Sequence, residues 1–261
     1  MIRVGVVGAT GRMGREVCRA VAADPDLLLV AAVSHSAAGS TLDDTIGLDG
    51  PAGGVVLREH LGELADAGVE VLVDFTAAKH APDHVAWGIA NGVHIVVGTT
   101  GFEIDDSWRD APVGVIVAPN FAIGAVLLMR FAEQAARYLH SAEVIELHHD
   151  RKVDAPSGTA LLTARRIAAA RTATPEAAAG DDAYPGARGA DVEGVRVHSV
   201  RLPGLVAHEE VIFGGAGQTL TLRHDSTDRT SFMPGVLLAV KAVGDRPGLT
   251  LGLEPLLEQA P

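Results

Sequence analysis

Short apolar runs alternate with helical patterns along the first half of the chain. Strands are predicted at residues 2–7, 27–33, 69–75, 94–98 and 113–118. Their side chains are apolar at successive positions, which is typical of strands buried on both faces. Helical patterns at residues 11–23 and 81–91 separate them. This alternation predicts an α/β domain with a parallel sheet covered on both sides. Residues 34–54 are rich in Ser, Ala, Gly and Asp and predict a loop with little regular structure.

The pattern changes near residue 121. Helices are predicted at about 123–139 and 157–170, on either side of a strand at 142–149, and a loop follows to about residue 192. Strands then succeed one another without an intervening helix, at residues 195–202, 208–215 and 218–225. This succession predicts an α+β domain with a largely antiparallel sheet, closed by a helix at 231–243. We expect a first domain of residues 1–121 and 241–261 and a second domain of residues 122–240.

A glycine-rich turn joins the first strand to the first helix. Backbone amides in such a turn, together with the helix N-terminus, can bind the pyrophosphate of a dinucleotide. Thr10 stands where the familiar G-x-G-x-x-G motif has its second glycine, so the motif is weak by itself and a plain tight turn is the alternative. Its place after the first strand of a parallel α/β pattern favours a Rossmann-like dinucleotide site.

The end of the second strand bears on the choice of cofactor. An acid is expected there, about 20 residues beyond the glycines, if a ribose 2′-hydroxyl is to be bound. Ser34 occupies that position, so no carboxylate is available to repel a 2′-phosphate. Arg12 could attract such a phosphate, although a solvated cation at the helix start explains it equally well. We therefore expect NADPH to be accepted, with NADH left open.

Two further loops follow strands of the same predicted sheet, at the edge where ligands bind in open α/β sheets. Gly98, Thr99 and Thr100 offer small side chains and backbone groups to a nicotinamide. The second loop runs from Ala118 to Phe121, and its Asn120 side chain can bond a carboxamide. Each loop alone could be an ordinary turn, but their shared edge favours cofactor contacts.

Charge and cysteine content narrow the choice of partners. The 261-residue chain carries 33 acidic and 21 basic residues, and its only lysines are Lys79, Lys152 and Lys241. Nucleic acid and anionic membrane surfaces are therefore not expected partners, whereas a small anionic ligand remains possible. A single cysteine, Cys18, fits a reducing compartment, and we expect a cytoplasmic protein. The longest uncharged run, residues 111–129, is interrupted by prolines and does not predict a membrane span.

The stretch ELHHDRKVDAPSGTA, residues 146–160, concentrates titratable groups and hydrogen-bond donors. His148 and His149 close a strand, so their side chains point to opposite sides. Lys152 follows in a loop, and the helix start after it leaves the Gly158-Thr159 amides to bind a carboxylate. A proton donor, a cation and an anion cradle so close together suit proton delivery to an anionic substrate during hydride attack.

Other interpretations of the same stretch stay open. A metal site is not expected, because adjacent strand histidines diverge and no matching set of Cys or carboxylate ligands is evident. On spacing alone a structural role is as acceptable as a catalytic one. His148 would then be a core histidine, Lys152 a surface cation and Ser157 a plain helix cap.

The longer stretch EVIELHHDRKVDAPSGTA resembles the signature of the 4-hydroxy-tetrahydrodipicolinate reductases, also called dihydrodipicolinate reductases. The likeness covers nearly the whole chain and includes VGATGRMG (7–14), VDFT (73–76), VVGTTGF (96–102), APNFAIGA (118–125), GLVAHEEVIFG (204–214) and RHDSTDRTSFMPG (223–235). It implies NAD(P)H-dependent reduction of 4-hydroxy-tetrahydrodipicolinate to tetrahydrodipicolinate in the diaminopimelate route to lysine. It also implies a homotetramer assembled through the antiparallel sheets.

The resemblance implies roles for individual residues. His148 would be the proton donor, Lys152 a second proton donor or carboxylate partner, and His149 a substrate contact. Gly158 and Thr159 would bind a substrate carboxylate. The expected cofactor-binding residues are Gly8, Ala9, Thr10, Gly11, Arg12, Met13, Ser34, Gly98, Thr99, Thr100, Ala118, Pro119, Asn120 and Phe121.

Two rival functions are compatible with the same patterns. One is a regulator that senses a dinucleotide without turning over a substrate, and it would tolerate His148→Gln. The other is a different two-domain reductase acting on a small amino or imino acid. Cofactor binding without turnover would favour the regulator.

Overall fold

The computed structural model describes residues 1–173 and 183–258. Residues 174–182 of the loop predicted to about residue 192, and residues 259–261, lie outside the described residues. The described strands are β1 (Ile2–Val7), β2 (Leu27–Val33), β3 (Leu57–Arg58), β4 (Val71–Asp74), β5 (His94–Val97), β6 (Gly114–Val117), β7 (Ser141–His148), β8 (Ala190–Val192), β9 (Val195–Arg201), β10 (Ala207–Gly215), β11 (Gln218–Ser226) and β12 (Gly248–Leu251). The described α-helices are α1 (Gly14–Ala23), α2 (Leu42–Ile46), α3 (Ala81–Asn91), α4 (Ile123–Ala136), α5 (Gly158–Ala170), α6 (Met233–Ala242) and α7 (Glu254–Leu257).

Residue contacts divide the chain into two compact units, Met1–Phe121 with Phe232–Pro261, and Ala122–Ser231. The contacts place residues 232–240 in the first unit, whereas the sequence assigned them to the second domain. Helix α6, which contains them, packs against α1 and β5, and its Val236 is fully buried. No local sequence pattern indicates that the chain returns to the first unit at α6, because α6 directly follows the strands of the second sheet along the chain.

The first unit is built on a parallel sheet with the strand order β12-β6-β5-β4-β1-β2-β3. All residues of β4 and β6 are buried, as expected for parallel strands covered on both faces. The strand order reverses between β1 and β4, and ligands bind at such switch points. The predicted α/β class is confirmed, and the turn after β1 lies at this switch point.

The segment predicted as a loop at residues 34–54 is more regular than expected. It contains α2, whose N-cap Thr41 forms a capping box with Asp44, and Leu42 and Ile46 bury the inner side of the helix. The two-residue strand β3 then pairs with β2 at the sheet edge. The prediction missed α2 because the small and polar residues around this short helix dominate the composition of residues 34–54.

The second unit carries the sheet β11-β10-β7-β9-β8, in which only the β7–β9 pair among the described pairs is parallel. Helices α4 and α5 cover one face, over a core that includes Leu128, Val144, Ile167 and Phe213. Burial alternates along β7, so Glu146 continues the row of buried positions. A carboxylate among apolar neighbours requires hydrogen-bond partners. None of the helices within the described ranges is long and apolar enough to cross a bilayer.

Candidate active site

The turn after β1 is tight and passes directly into α1. Gly8 adopts φ +77°, and its amide and that of Ala9 donate to the Val33 carbonyl at 3.0 and 3.1 Å. A Cβ on Gly14 would lie 2.0 Å from the Gly8 carbonyl oxygen, so only glycine lets α1 start against this turn. The N-cap residue Met13 provides no side-chain cap, and although the Arg15 amide donates to the Gly11 carbonyl at 3.1 Å, the amides of Gly14 and Glu16 in the first turn of this ten-residue helix remain available to an anion.

Some residues of the turn contact the end of β2, and others are exposed to solvent. Thr10 Oγ1 lies 2.6 Å from Ser34 Oγ, so the residue that replaces the second glycine ties the turn to the end of β2. Ser34 is buried by this contact, whereas Gly11 and Arg12 are exposed. The arrangement fits a dinucleotide, with neutral hydroxyls at the place where an acid would select a ribose 2′-hydroxyl.

Asp74, at the end of β4, organises the loops beside the switch point. Its carboxylate accepts hydrogen bonds from the Thr76 amide and hydroxyl and from His84 Nδ1, all at 2.7 Å, and from Thr99 Oγ1 at 3.4 Å. Burial raises the pKa of Asp74, but the bonds from His84 and Thr76 outweigh burial and lower that pKa below its usual value. An ionised Asp74 therefore holds the loops after β4 and β5 together.

The remaining predicted cofactor residues lie on the same loops. A Cβ on Gly98 would meet the Phe75 ring at 2.1 Å, and the Phe75 and Phe121 rings lie 5.5 Å apart. Ala118 is buried and its amide bonds the Val97 carbonyl. Thr100 and Pro119 are exposed and Asn120 is half-buried. All the predicted cofactor residues thus follow the carboxyl ends of β1, β2, β5 and β6.

In the second unit, four residues form a connected group that we name the Glu146 cluster: Glu146, His148, Ser157 and Arg201. The Glu146 carboxylate is fully buried and accepts from His148 Nδ1 at 2.5 Å and from the Ser157 amide at 3.1 Å. Arg201 donates to both carboxylate oxygens, at 2.7 and 2.8 Å. The cluster therefore joins the end of β7, the start of α5 and the end of β9.

The ionised state of Glu146 follows from these bonds. Burial alone would raise the pKa of Glu146, but the hydrogen bonds from His148 and Arg201 outweigh it and lower that pKa to about 2. The hydrogen bond between Arg201 and Glu146 also raises the pKa of Arg201. Glu146 is thus a carboxylate at neutral pH, and because it accepts from Nδ1 of His148, Nε2 is the nitrogen left to face a substrate.

Hydrogen bonds to the buried residues Ser157 and Glu146 fix the N-terminus of α5. Ser157 is its N-cap and accepts from the Ala160 amide at 3.1 Å, while its own amide bonds Glu146. Gly158 is exposed and Thr159 half-buried, so the first turn is accessible. This geometry suits a carboxylate ligand at the positive end of the helix.

The loop between β7 and α5 carries the predicted lysine. Lys152 Nζ donates to both oxygens of Asp154 at 2.8 Å, and Arg201 donates to the Asp154 carbonyl at 2.7 Å. The loop is thereby tied to the Glu146 cluster. His149 Nδ1 is buried without a hydrogen-bond partner, and burial, followed by the charge of Arg151, lowers the pKa of His149.

Comparison with known proteins decides the family. Models named "Dihydrodipicolinate reductase, N-terminus" and "Dihydrodipicolinate reductase, C-terminus" match residues 2–121 and 124–257. The chain belongs to the dihydrodipicolinate reductase family. A 4-hydroxy-tetrahydrodipicolinate reductase of Nocardia farcinica is 52% identical over 269 residues, covering 98% of this chain and 99% of that protein. One of Cutibacterium acnes is 52% identical over 271 residues, with the same coverage.

A solved structure agrees with the sequence comparison. A dipicolinate-bound dihydrodipicolinate reductase from Paenisporosarcina sp. TG-14 is 41% identical, with a TM-score of 0.85, and covers 98% of this chain and 99% of that one. The predicted resemblance and the two-part fold are thereby confirmed. An amine dehydrogenase from Mycobacterium smegmatis, 14% identical at a TM-score of 0.65, shares the fold alone.

Sequence reasoning did not identify Glu146, Arg201, Asp74 or His84. Glu146 lies two residues before His148 and therefore shares its face of the strand, which is a signal that could have been used. Arg201 faces His148 across the β7–β9 pair, a register that the sequence does not reveal. In the described parts of the chain, no group of three or more His, Cys, Asp or Glu residues could hold a metal ion.

Proposed function

We propose that the chain reduces 4-hydroxy-tetrahydrodipicolinate to tetrahydrodipicolinate with a reduced pyridine nucleotide, in the diaminopimelate route to lysine. The observation that carries this proposal is the Glu146 cluster, which fixes a histidine beside an open helix N-terminus. The activity for which the relatives are named and the dipicolinate bound to the related structure support it. We further propose a cytoplasmic location, in keeping with the single cysteine.

The first unit would hold the cofactor. A bound NADH or NADPH supplies the hydride. The turn from Gly8 to Met13 and the start of α1 would bind its pyrophosphate, with Gly8, Ala9 and Gly11 shaping the turn through their own backbone bonds and the later amides donating to the phosphates. Ser34 would meet the adenosine ribose. The nicotinamide end would rest on Gly98 to Thr100 and on Ala118 to Phe121. The ionised Asp74 fixes the first of these two loops and so orients it before the cofactor arrives.

The second unit would supply the proton and hold the substrate. The ring loses its 4-hydroxyl group as water, and on hydride addition His148 delivers a proton from Nε2 to the ring as negative charge develops there, directly or through a water. The amides of Gly158 and Thr159 bind a substrate carboxylate, and Lys152 supports it with positive charge. His149, whose buried Nδ1 lacks a partner, makes a further substrate contact. Glu146 holds the His148 ring in one orientation and one tautomer.

A direct assay separates this proposal from its rivals. NADPH and NADH oxidation would be followed with freshly generated 4-hydroxy-tetrahydrodipicolinate, for the wild type and for Lys152→Ala. We expect turnover that is strongly reduced in the variant. Binding of NADPH without turnover above background would instead indicate a dinucleotide-sensing regulator. Turnover of other small imino acids alone would indicate a different reductase.

We propose that NADPH is accepted because Ser34 offers no negative charge near the adenosine ribose. Ser34→Asp is expected to raise the KM for NADPH at least about tenfold, corresponding to roughly 1.4 kcal/mol, and to change the KM for NADH much less. Steady-state kinetics with each cofactor would measure both values. Ser34→Asn, similar in size but neutral, is the control. An equal rise for both cofactors in Ser34→Asp would contradict the placement of Ser34.

We propose a homotetramer assembled through the face of the second sheet that lies away from α4 and α5. Ile145, Leu147 and Ile212 alternate with core positions and are only half-buried on that face. Apolar groups of this kind on an open sheet face favour association. Light scattering coupled to size exclusion would test it, with a monomeric mass as the contradicting result.

A further inference from the structure

A second buried carboxyl lies beside the Glu146 cluster. Glu209 on β10 is the Cα partner of Glu146 on β7 and is 5% exposed. Unlike Glu146, it lacks a cationic partner among the described residues. Its carboxyl contacts Thr163 instead, with Oε1 2.5 Å from Thr163 Oγ1. Two neighbouring carboxyls therefore have different surroundings, one neutralised by Arg201 and the other not.

The Thr163 hydroxyl faces two oxygens but has one proton to give. Thr163 is fully buried on α5, and its Oγ1 lies 3.1 Å from the Thr159 carbonyl as well as 2.5 Å from Glu209. If Glu209 carries a proton and donates it to Thr163, the hydroxyl donates in turn to Thr159 and both contacts are hydrogen bonds. If Glu209 is ionised, the single hydroxyl proton is drawn to the carboxylate and the bond to Thr159 is lost.

We propose that Glu209 is a positioning residue, which as the neutral acid fixes the first turn of α5 through Thr163 and weakens dicarboxylate binding when it ionises. The inference rests on the proposed role of Gly158 and Thr159 in binding a substrate carboxylate. Glu146 holds this turn at the Ser157 amide, and Glu209 holds it at the Thr159 carbonyl. Ionised Glu209 would also place a second negative charge behind an anion site.

The groups around Glu209 support this state. Glu146 faces it from β7 and is itself paired with His148 and Arg201, while His224 is its partner on β11 and α5 presents Thr163. Burial lowers the pKa of His224, so this imidazole is not a strong counter-ion. Burial, with the charge of Glu146 adding to it, raises the pKa of Glu209 to about 7 despite the Thr163 bond.

The test measures the binding of dipicolinate, a dicarboxylate, by calorimetry at pH 6 and pH 8.5. The wild type is expected to lose affinity by about three- to tenfold at the higher pH, because the new charge acts across a poorly solvated interior. Glu209→Gln, a neutral amide of the same shape, is expected to match the wild type at pH 6 and to lose much less affinity at pH 8.5. Equal losses in both proteins would overturn the inference.

Proton uptake gives a second, independent reading. At pH 7.5 the wild type should take up a fraction of a proton on binding dipicolinate, measured in buffers of different ionisation enthalpy. Glu209→Gln should take up less, because His148 and Lys152 are unchanged in it. An unaltered uptake would count against Glu209. In the kinetics, Glu209→Gln should flatten the rise of KM with pH while leaving kcat at pH 6 within about twofold of the wild type.

Stability provides a check that the variant is folded. The folded-state pKa of Glu209 is raised, so its contribution to stability is complete below about 4.5 and is lost as pH rises through about 7. Glu209→Gln should therefore melt above the wild type at pH 8.5 and close to it at pH 4.5. If that variant does not fold, Thr163→Val and Thr163→Ser replace it. Valine should weaken dipicolinate binding at pH 6 and serine should not, and equal affinities would overturn the inference.

The outcomes of these tests are separable from the proposed function. Failure of the wild type to turn over 4-hydroxy-tetrahydrodipicolinate or to bind dipicolinate would count against the function itself. Normal turnover, with the pH dependence of binding identical in the wild type and in Glu209→Gln, would leave the function intact and overturn the role of Glu209 alone.

Discussion

His148→Gln is expected to lower kcat for the reduction of 4-hydroxy-tetrahydrodipicolinate by about 10²- to 10⁴-fold, the usual value of a positioned general acid. Glutamine retains polar contacts but cannot transfer a proton. Binding of NADPH should stay as in the wild type, because the proposed cofactor residues lie in the first unit. The measurement is steady-state kinetics at saturating substrate, together with a titration of the cofactor.

A matched histidine serves as the control for this prediction. His198 on β9 belongs to the same sheet, but its Nε2 bonds Glu143 at 2.8 Å and it takes no part in the Glu146 cluster. His198→Gln should leave kcat and KM near the wild-type values. If His148→Gln kept more than a tenth of the wild-type kcat, another group would have to supply the proton, and the role proposed for His148 would be contradicted.

Arg201→Met is expected to lower the free energy of unfolding of the second unit by about 3–5 kcal/mol. The reason is that Glu146 would remain buried without its cationic partner, which is the costly way to break a buried ion pair. Urea denaturation followed by circular dichroism would measure the loss. Both tryptophans, Trp87 and Trp108, lie in the first unit, so tryptophan fluorescence follows that unit separately.

An exposed arginine on the same strand provides the comparison. Arg196 on β9 pairs with Asp191 at 3.8 Å near the surface, so Arg196→Met should cost less than about 1 kcal/mol. The loss of folding stability at acid pH is a second indication that the Glu146 carboxylate contributes to stability. The pKa of Glu146 is lowered from 4.5 to about 2, so its contribution to stability is present above pH 4.5 and is lost as pH falls through 2. Equal costs for both arginine variants would contradict the account.

Local signals explain which elements the sequence predicts well. Helix α3 has the predicted bounds, because Pro82 stands in its first turn and Gly92 ends it in the left-handed conformation at φ +69°. The buried parallel strands were likewise visible as apolar runs. In contrast, the membership of α6 in the first unit depends on long-range packing, which no local pattern encodes.

The residues of the candidate site likewise differ in whether local sequence or long-range packing determines them. His148, Lys152 and the Gly158-Thr159 pair lie within one stretch, so local chemistry and the family resemblance together suggested them. The partners that determine their state come from elsewhere in the chain. Arg201 reaches Glu146 through the β7–β9 register, and Glu209 does so through the β7–β10 register. Strand register follows from the assembled core and cannot be read from one segment.

A double-mutant cycle on Glu146 and His148 tests most directly whether the buried carboxylate acts through the histidine. The measured quantity is kcat for the wild type, Glu146→Gln, His148→Gln and the double variant, each at saturating cofactor and substrate. The account predicts that Glu146→Gln lowers kcat and that the double variant is no slower than His148→Gln, because the carboxylate affects the proton transfer only through the imidazole, whereas its bond to the Ser157 amide bears on substrate affinity. Losses that multiply in the double variant would show that the two residues act independently and would contradict the account.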